Sequence, residues 1–277
     1  MRRALGRLAA AGAIAAAVAA PVWAAEPRFE GSFTQGGLVE GHAAPGATVR
    51  IDGHPVRVSP EGLFLIGFGR DAKGPVTVEI RDPDGAVSRR RFAVARRVYR
   101  LQRIDGLPAA MVTPSPEALA RIEREAQEIA VARARDTAET LFTSGFTWPV
   151  RGRISGVFGS QRILNGKPRQ PHTGVDIAAP EGTPVVAPAA GIVVLAEPDL
   201  YFTGGTVILD HGYGLSSVFA HMSALEVRLG QRLRKGERLG RVGATGRATG
   251  PHLHWGVNLF ATRLDPALIA GPMAKSP

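Results

Sequence analysis

Between residues 26 and 108 the chain alternates short apolar-polar runs with turn residues. Thr48-Val49-Arg50-Ile51 leads into Asp52-Gly53, and Val56-Arg57-Val58 into Ser59-Pro60-Glu61-Gly62. An apolar stretch over 63–68 follows, then Val76-Thr77-Val78-Glu79-Ile80 runs into Asp82-Pro83-Asp84-Gly85. A period of two sends alternate side chains to one face of a sheet, and Asp-Gly or Pro-Glu-Gly sequences close tight turns. The pattern predicts a small β-sandwich over 25–110.

The period changes at 115. Ser115 can cap a helix and Pro116 suits a first helical position, while Leu119, Ile122, Ala126, Ile129 and Leu141 fall on roughly one face. One amphipathic helix over 115–142 is expected, a connector within a helical linker of 111–144. From 145 to 277 strand-like runs return: Val185-Val186, 192–195, 206–209 and 215–220, separated by Gly or Pro clusters. This is a second, larger β region. The 34 Gly and 21 Pro support many short strands over long helices.

Two further features narrow the function class. Arg2, Arg3 and Arg7 precede an almost wholly apolar run over 8–20, and Val22-Trp23-Ala24 ends in small residues. That is the layout of a cleaved export signal over 1–24, too short and too Ala-rich for a membrane span. Its removal lowers the formal charge from +10 to +7. The remaining basic charge fits an anionic partner, and export argues against nucleic acid. With no Cys, neither disulfides nor thiolate ligands are available, so any metal is held by His and carboxylates.

Five of the seven histidines lie in the last region. In His252-Leu253-His254 a strand period places both imidazoles on one face, fit for a shared metal or for one ligand beside one acid/base. In His172-Thr173-Gly174-Val175-Asp176, the neighbouring Pro171 and Gly174 speak for a curved loop entering a strand rather than a helix face. Phe219-Ala220-His221-Met222 ends a further strand. Together they offer the His, Asp and His set that a catalytic zinc uses while keeping a fourth position for water, with two histidines left over for acid/base work. His211, in Asp210-His211-Gly212-Tyr213-Gly214, reads as a turn residue outside the site, and His42 and His54 as surface or turn residues. No Glu stands beside these motifs, which excludes the His-Glu-x-x-His arrangement.

At these residues the chain resembles the lysostaphin/LytM-type zinc metallopeptidases, a peptidoglycan endopeptidase family. The likeness spans roughly 148–266. Ile154-Ser155-Gly156-Val157-Phe158-Gly159 is similar to the family's opening strand, and His172-Thr173-Gly174-Val175-Asp176 to its His-x-x-x-Asp motif. Gly182-Thr183-Pro184-Val185, Ala187-Pro188-Ala189-Ala190-Gly191, Phe219-Ala220-His221-Met222 and Gly250-Pro251-His252-Leu253-His254 follow in order. The departures are Phe219 and Met222, where Tyr and Leu are common, and the lack of a Tyr in 164–168.

The resemblance implies one Zn2+ per chain held by His172, Asp176 and His254, with His221 and His252 acting on the water and the oxyanion. It implies an antiparallel LytM-type β catalytic domain over 145–277 that cuts peptide stems or cross-links of peptidoglycan in the periplasm or cell envelope. The region before it resembles Ig-like extensions of exported members, able to engage a regulatory protein. No membrane span is expected after signal cleavage. The alternative is a non-catalytic wall-binding activator of another hydrolase, as degenerate relatives are; all five residues stand in place here. An Ala-rich signal points to direct D-Ala to diaminopimelate cross-links, although the residues themselves leave the scissile bond open.

Overall fold

The computed structural model describes residues 26–107 and 112–274; the expected export signal lies outside the described residues. The described chain is mainly β, and its ladders are antiparallel with one exception. Among the described residues no helix is long and apolar enough to cross a membrane.

The first region holds strands β1 (Arg28–Gly31), β2 (Leu38–His42), β3 (Thr48–Ile51), β4 (His54–Val56), β5 (Leu63–Gly67), β6 (Val76–Arg81), β7 (Val87–Phe92) and β8 (Leu101–Ile104). They form one sheet of order β1-β2-β5 and a second of order β4-β3-β6-β7. Val39, Phe64, Ile66, Val78 and Ile80 share one buried apolar cluster. The pattern did not announce β1, β2, β7 or β8. The β7 sequence carries three consecutive arginines and no fully buried residue, so pairing with β6 holds it rather than burial.

The apolar stretch around β5 lacks alternation because both faces of the strand are buried. Phe64 and Ile66 enter the cluster of the first region. Leu63 and Leu65 enter the main cluster of the second, with Leu215, Trp255 and Leu264. Arg97 and Asp265 pair across the same junction at 2.8 Å.

Helix α1 (Pro116–Arg133) begins as expected, with the Ser115 side chain accepting from the Ala118 N–H and Pro at the first turn. It ends earlier than expected. Asp136 is pinned by Arg57 through bonds of 2.7 and 2.8 Å, and the Thr137 carbonyl accepts from Tyr213 N at 2.8 Å. Tertiary anchors stop the helix where the sequence has no Gly or Pro. Leu141 and Phe142 belong to a 3-10 turn (Leu141–Ser144), which drops Phe142 into the main core. Only Ala132 of α1 is fully buried, and Leu119 is 47% exposed.

The second region contains β9 (Arg153–Gly156), β10 (Gln161–Leu164), β11 (Lys167–Pro168), β12 (Val175–Ala178), β13 (Pro184–Val186), β14 (Gly191–Leu200), β15 (Gly204–Gly212) and β16 (Leu215–Met222). It continues with β17 (Ala224–Leu225), β18 (Arg232–Leu233), β19 (Arg238–Arg241), β20 (His252–Leu259), β21 (Thr262–Leu264) and the short helix α2 (Pro266–Ala270). The largest sheet has the order β18-β14-β15-β16-β20-β12-β9, with β21 on β20; β13, β19 and β17 form a smaller one. The exceptional ladder is parallel: β8 of the first region pairs with β10, Leu101 opposite Gln161 through Ile104 opposite Leu164.

Candidate metal centre

Strand register builds most of the site. On β12 and β20, Asp176 stands directly opposite His254, and Ala178 opposite His252. Directly paired residues share a sheet face, so the Asp176 carboxylate and the two imidazoles come to one side. On the other flank Asp176 faces Gly156 of β9. A Cβ at Gly156 would stand 2.3 Å from Asp176 Oδ2, so only a glycine leaves room for the carboxylate.

His172 arrives from the loop before β12, as its sequence context suggested. Its backbone N–H donates to the Ser160 carbonyl at 2.9 Å. Gly174 lets the loop pass over β20, where a Cβ would meet the Trp255 carbonyl oxygen at 2.3 Å.

His221 needs a different device. Ala220 lies opposite His254, so strict pleating would send His221 to the far face. The β15–β16 register slips between Gly205 and Val207, and His221 adopts φ +66°. A bulge of this kind re-aims a side chain. The His221 and His252 ring centroids are 4.7 Å apart, and His221 lies 6.3 Å from His254.

Three atoms then converge. Asp176 Oδ1 lies 2.9 Å from His172 Nε2 and 2.8 Å from His254 Nδ1, and the two nitrogens are 3.0 Å apart. His172 Nδ1 is 3.1 Å from the Val157 carbonyl, which can only accept. The proton therefore sits on Nδ1, and Nε2 turns a lone pair inward. A single N–H at His254 Nδ1 can serve only part of this triangle, whereas a cation serves all three corners. The His, Asp, His set thus fits a divalent metal, and among the described residues these three form the one group that could hold it. The second carboxylate oxygen, Oδ2, accepts from Arg162 Nη2 at 2.6 Å, and Arg162 also reaches Gln102 on β8. Sequence reading missed Arg162; its neighbour β8 lies some sixty residues upstream.

Electrostatics follow burial. Burial would raise the Asp176 carboxyl, but the neighbouring His172 and His254 imidazoles outweigh it and hold it well below the usual carboxylate range. Burial lowers His254 to about 4 despite Asp176. Burial, then His252 and His254, push His221 down to about 3. His221 Nδ1 donates to the Thr245 carbonyl at 2.9 Å and His252 Nδ1 to the Gly250 carbonyl at 2.8 Å. With Nδ1 so engaged, Nε2 is the nitrogen through which either ring exchanges a proton.

His211 stays outside this cluster, yet it is no turn residue. It ends β15 fully buried, with Nδ1 donating to Ala190 O at 2.7 Å and Nε2 accepting from Ser217 Oγ at 2.8 Å. His42 and His54 lie on β2 and β4 of the first region.

Comparison with known proteins points to one family. The model of peptidase family M23 matches residues 170–266. A crystal structure from Pseudomonas aeruginosa, solved as a candidate M23 peptidase, is 37% identical with a TM-score of 0.67; the match covers 86% of this chain and 95% of that one. The peptidoglycan DD-endopeptidase ShyA of Vibrio cholerae is 37% identical over 125 residues, 45% of this chain and 29% of its own length. The DD-carboxypeptidase/endopeptidase Mpg of Neisseria meningitidis is 38% identical over 120 residues, 43% of this chain and 27% of its own. The chain spans under a third of the length of these curated relatives.

Proposed function

The chain belongs to peptidase family M23, and from that premise we propose that it is a zinc metalloendopeptidase that hydrolyses peptide cross-links of peptidoglycan in the cell envelope. The observation that carries the reading is the triangle of His172 Nε2, Asp176 Oδ1 and His254 Nδ1, each within 3.0 Å of the others. His172, Asp176 and His254 hold the metal, which when bound supplies a Lewis acid that polarises a carbonyl and acidifies a water. An all-N/O set of this size suits zinc.

His221 and His252 supply the proton traffic. With Nδ1 tied to a carbonyl, each ring gains and loses a proton at Nε2 alone. One of them takes a proton from the attacking water at Nε2 and returns it to the amine nitrogen as the C–N bond breaks, leaving a carboxylate and a free amine. The other, when protonated, donates from Nε2 to the developing oxyanion, a contribution of about 3 kcal/mol. Burial keeps His221 neutral at neutral pH, the state a base needs.

The unit over 25–110 is read as an Ig-like regulatory or docking module before a catalytic domain over 145–277; the sheet orders β1-β2-β5 and β4-β3-β6-β7 support it. The test is digestion of purified sacculi by the full chain with and without chelator. Release of cross-link-cleaved muropeptides that stops with chelator and returns with zinc is expected. Wall binding indifferent to chelator, with no fragments released, would point instead to a non-catalytic wall-binding protein.

A further inference from the structure

A row of polar side chains crosses the largest sheet away from the metal centre. Asp210 on β15 stands opposite Ser216 on β16, Ser216 opposite Asn258 on β20, and Asn258 opposite Arg263 on β21. Directly paired residues share a face, so the four side chains rise on one side of the sheet. The end of α1 lies over that row. Ala132 packs in one cluster with Ile208 and Val218, and Thr137 Oγ1 donates to Asp210 Oδ2. Arg133, the last residue of α1, is held between these two anchors.

The place is rich in donors and short of acceptors. Arg263 Nη1 donates to Asn258 Oδ1 at 2.6 Å, which leaves Asn258 Nδ2 as a donor. Asn258 Nδ2, Ser216 Oγ and Arg133 Nε are buried with no hydrogen-bond partner among the described residues. Ser216 is 2% exposed and Asn258 0%. The acid of the row is already occupied: Asp210 Oδ1 accepts from Gly212 N at 2.8 Å, and Oδ2 from Thr137. Burial, then the neighbouring Arg263, lower the Arg133 pKa to about 9, a repulsion that an anion between the two guanidinium groups reverses. Water would satisfy the donors and leave the charge, whereas an oxyanion answers both.

We propose that Arg133, Ser216, Asn258 and Arg263 form a binding site for a small tetrahedral oxyanion, phosphate or sulfate, which ties the end of α1 to β16, β20 and β21. A guanidinium fork suits two oxygens of such an ion, and the Ser216 hydroxyl and Asn258 amide are donors for the others. The burial of Ser216 and Asn258 restricts the ligand to a small ion, and two guanidinium groups favour a doubly charged one. The inference stands apart from the peptidase reading, since none of the four residues belongs to the metal-binding set or to the acid/base pair.

The test is thermal unfolding of the metal-loaded full chain in sodium sulfate or sodium phosphate, against sodium chloride of equal ionic strength. Wild type is expected to show a saturable rise of roughly 5–10 °C once the oxyanion exceeds its Kd a hundredfold. Arg133→Met should abolish the saturable part, and Ser216→Ala should raise the Kd several-fold. A purely structural role for Arg133 lowers the melting temperature equally in all salts and leaves the oxyanion rise in place. An ion bound at the metal centre instead raises wild type and both variants alike. Hydrogen exchange gives a second readout: amides in the last turn of α1 should slow in sulfate in the wild type and not in Arg133→Met. Equal melting temperatures of the wild type in all three salts, or an oxyanion rise unchanged in both variants, overturns the proposal. Should Arg133→Met fail to fold, the Kd of Ser216→Ala decides.

Discussion

His221 holds φ +66°, a left-handed backbone that a side chain with a Cβ occupies at a cost of roughly 1–3 kcal/mol. The bulge spends that energy to turn an imidazole toward His252 and His254. Its removal should separate binding from turnover. His221→Ala is expected to retain about one metal per chain by elemental analysis while losing ~10²–10⁴-fold in kcat, whereas His254→Ala loses both metal and activity. Arg162 acts on the same centre through the second oxygen of Asp176. Arg162→Ala should weaken metal affinity about 10–100-fold in a chelator competition, with the three metal-binding residues intact. His211 gives a pH signature instead. Burial lowers its pKa from 6.5 to about 4, so between these values the unfolded chain binds the extra proton. Its contribution is full above pH 6.5 and is lost as pH falls toward 4, by roughly 3 kcal/mol. His211→Asn should flatten the slope of stability against pH over that window in denaturant titrations.

At the scale of elements, strand pairing carries most of the geometry, and strand pairing is what the sequence shows least directly. The alternation in His252-Leu253-His254 was enough to place two imidazoles on one face, and Pro171 and Gly174 to put His172 on a loop. The register that sets Asp176 opposite His254 and the bulge at His221 are properties of two strands at once, so no single run of residues displays them. The helix start was visible in Ser115-Pro116, but its stop depends on Arg57 and Tyr213, far away in sequence. The apolar run in β5 hid its meaning for a related reason: a strand buried on both faces loses its period. Gly174 marks where the loop crosses β20, and its neighbour there is backbone, which does not yield. Gly174→Ala should cost about 1–3 kcal/mol of stability and displace His172, read as a lower melting temperature together with a loss of bound metal.

Across the whole molecule, the first and second regions share a ladder and a core. A fragment starting at Gly145 lacks β8, the Leu63 and Leu65 side chains in the main cluster, and the Gln102 contact to Arg162. Such a fragment is expected to melt well below the full chain and to bind metal more weakly. A fragment of equal or higher melting temperature would mean that the shared core adds nothing to folding. The parallel pairing of β8 with β10 carries one more consequence. Because the halves grip each other through that ladder, β5 and the Arg97–Asp265 pair, they need no covalent link near Thr113 to stay together. A protease nick at that point should leave a two-piece protein that elutes as a single particle and comes apart only in denaturant.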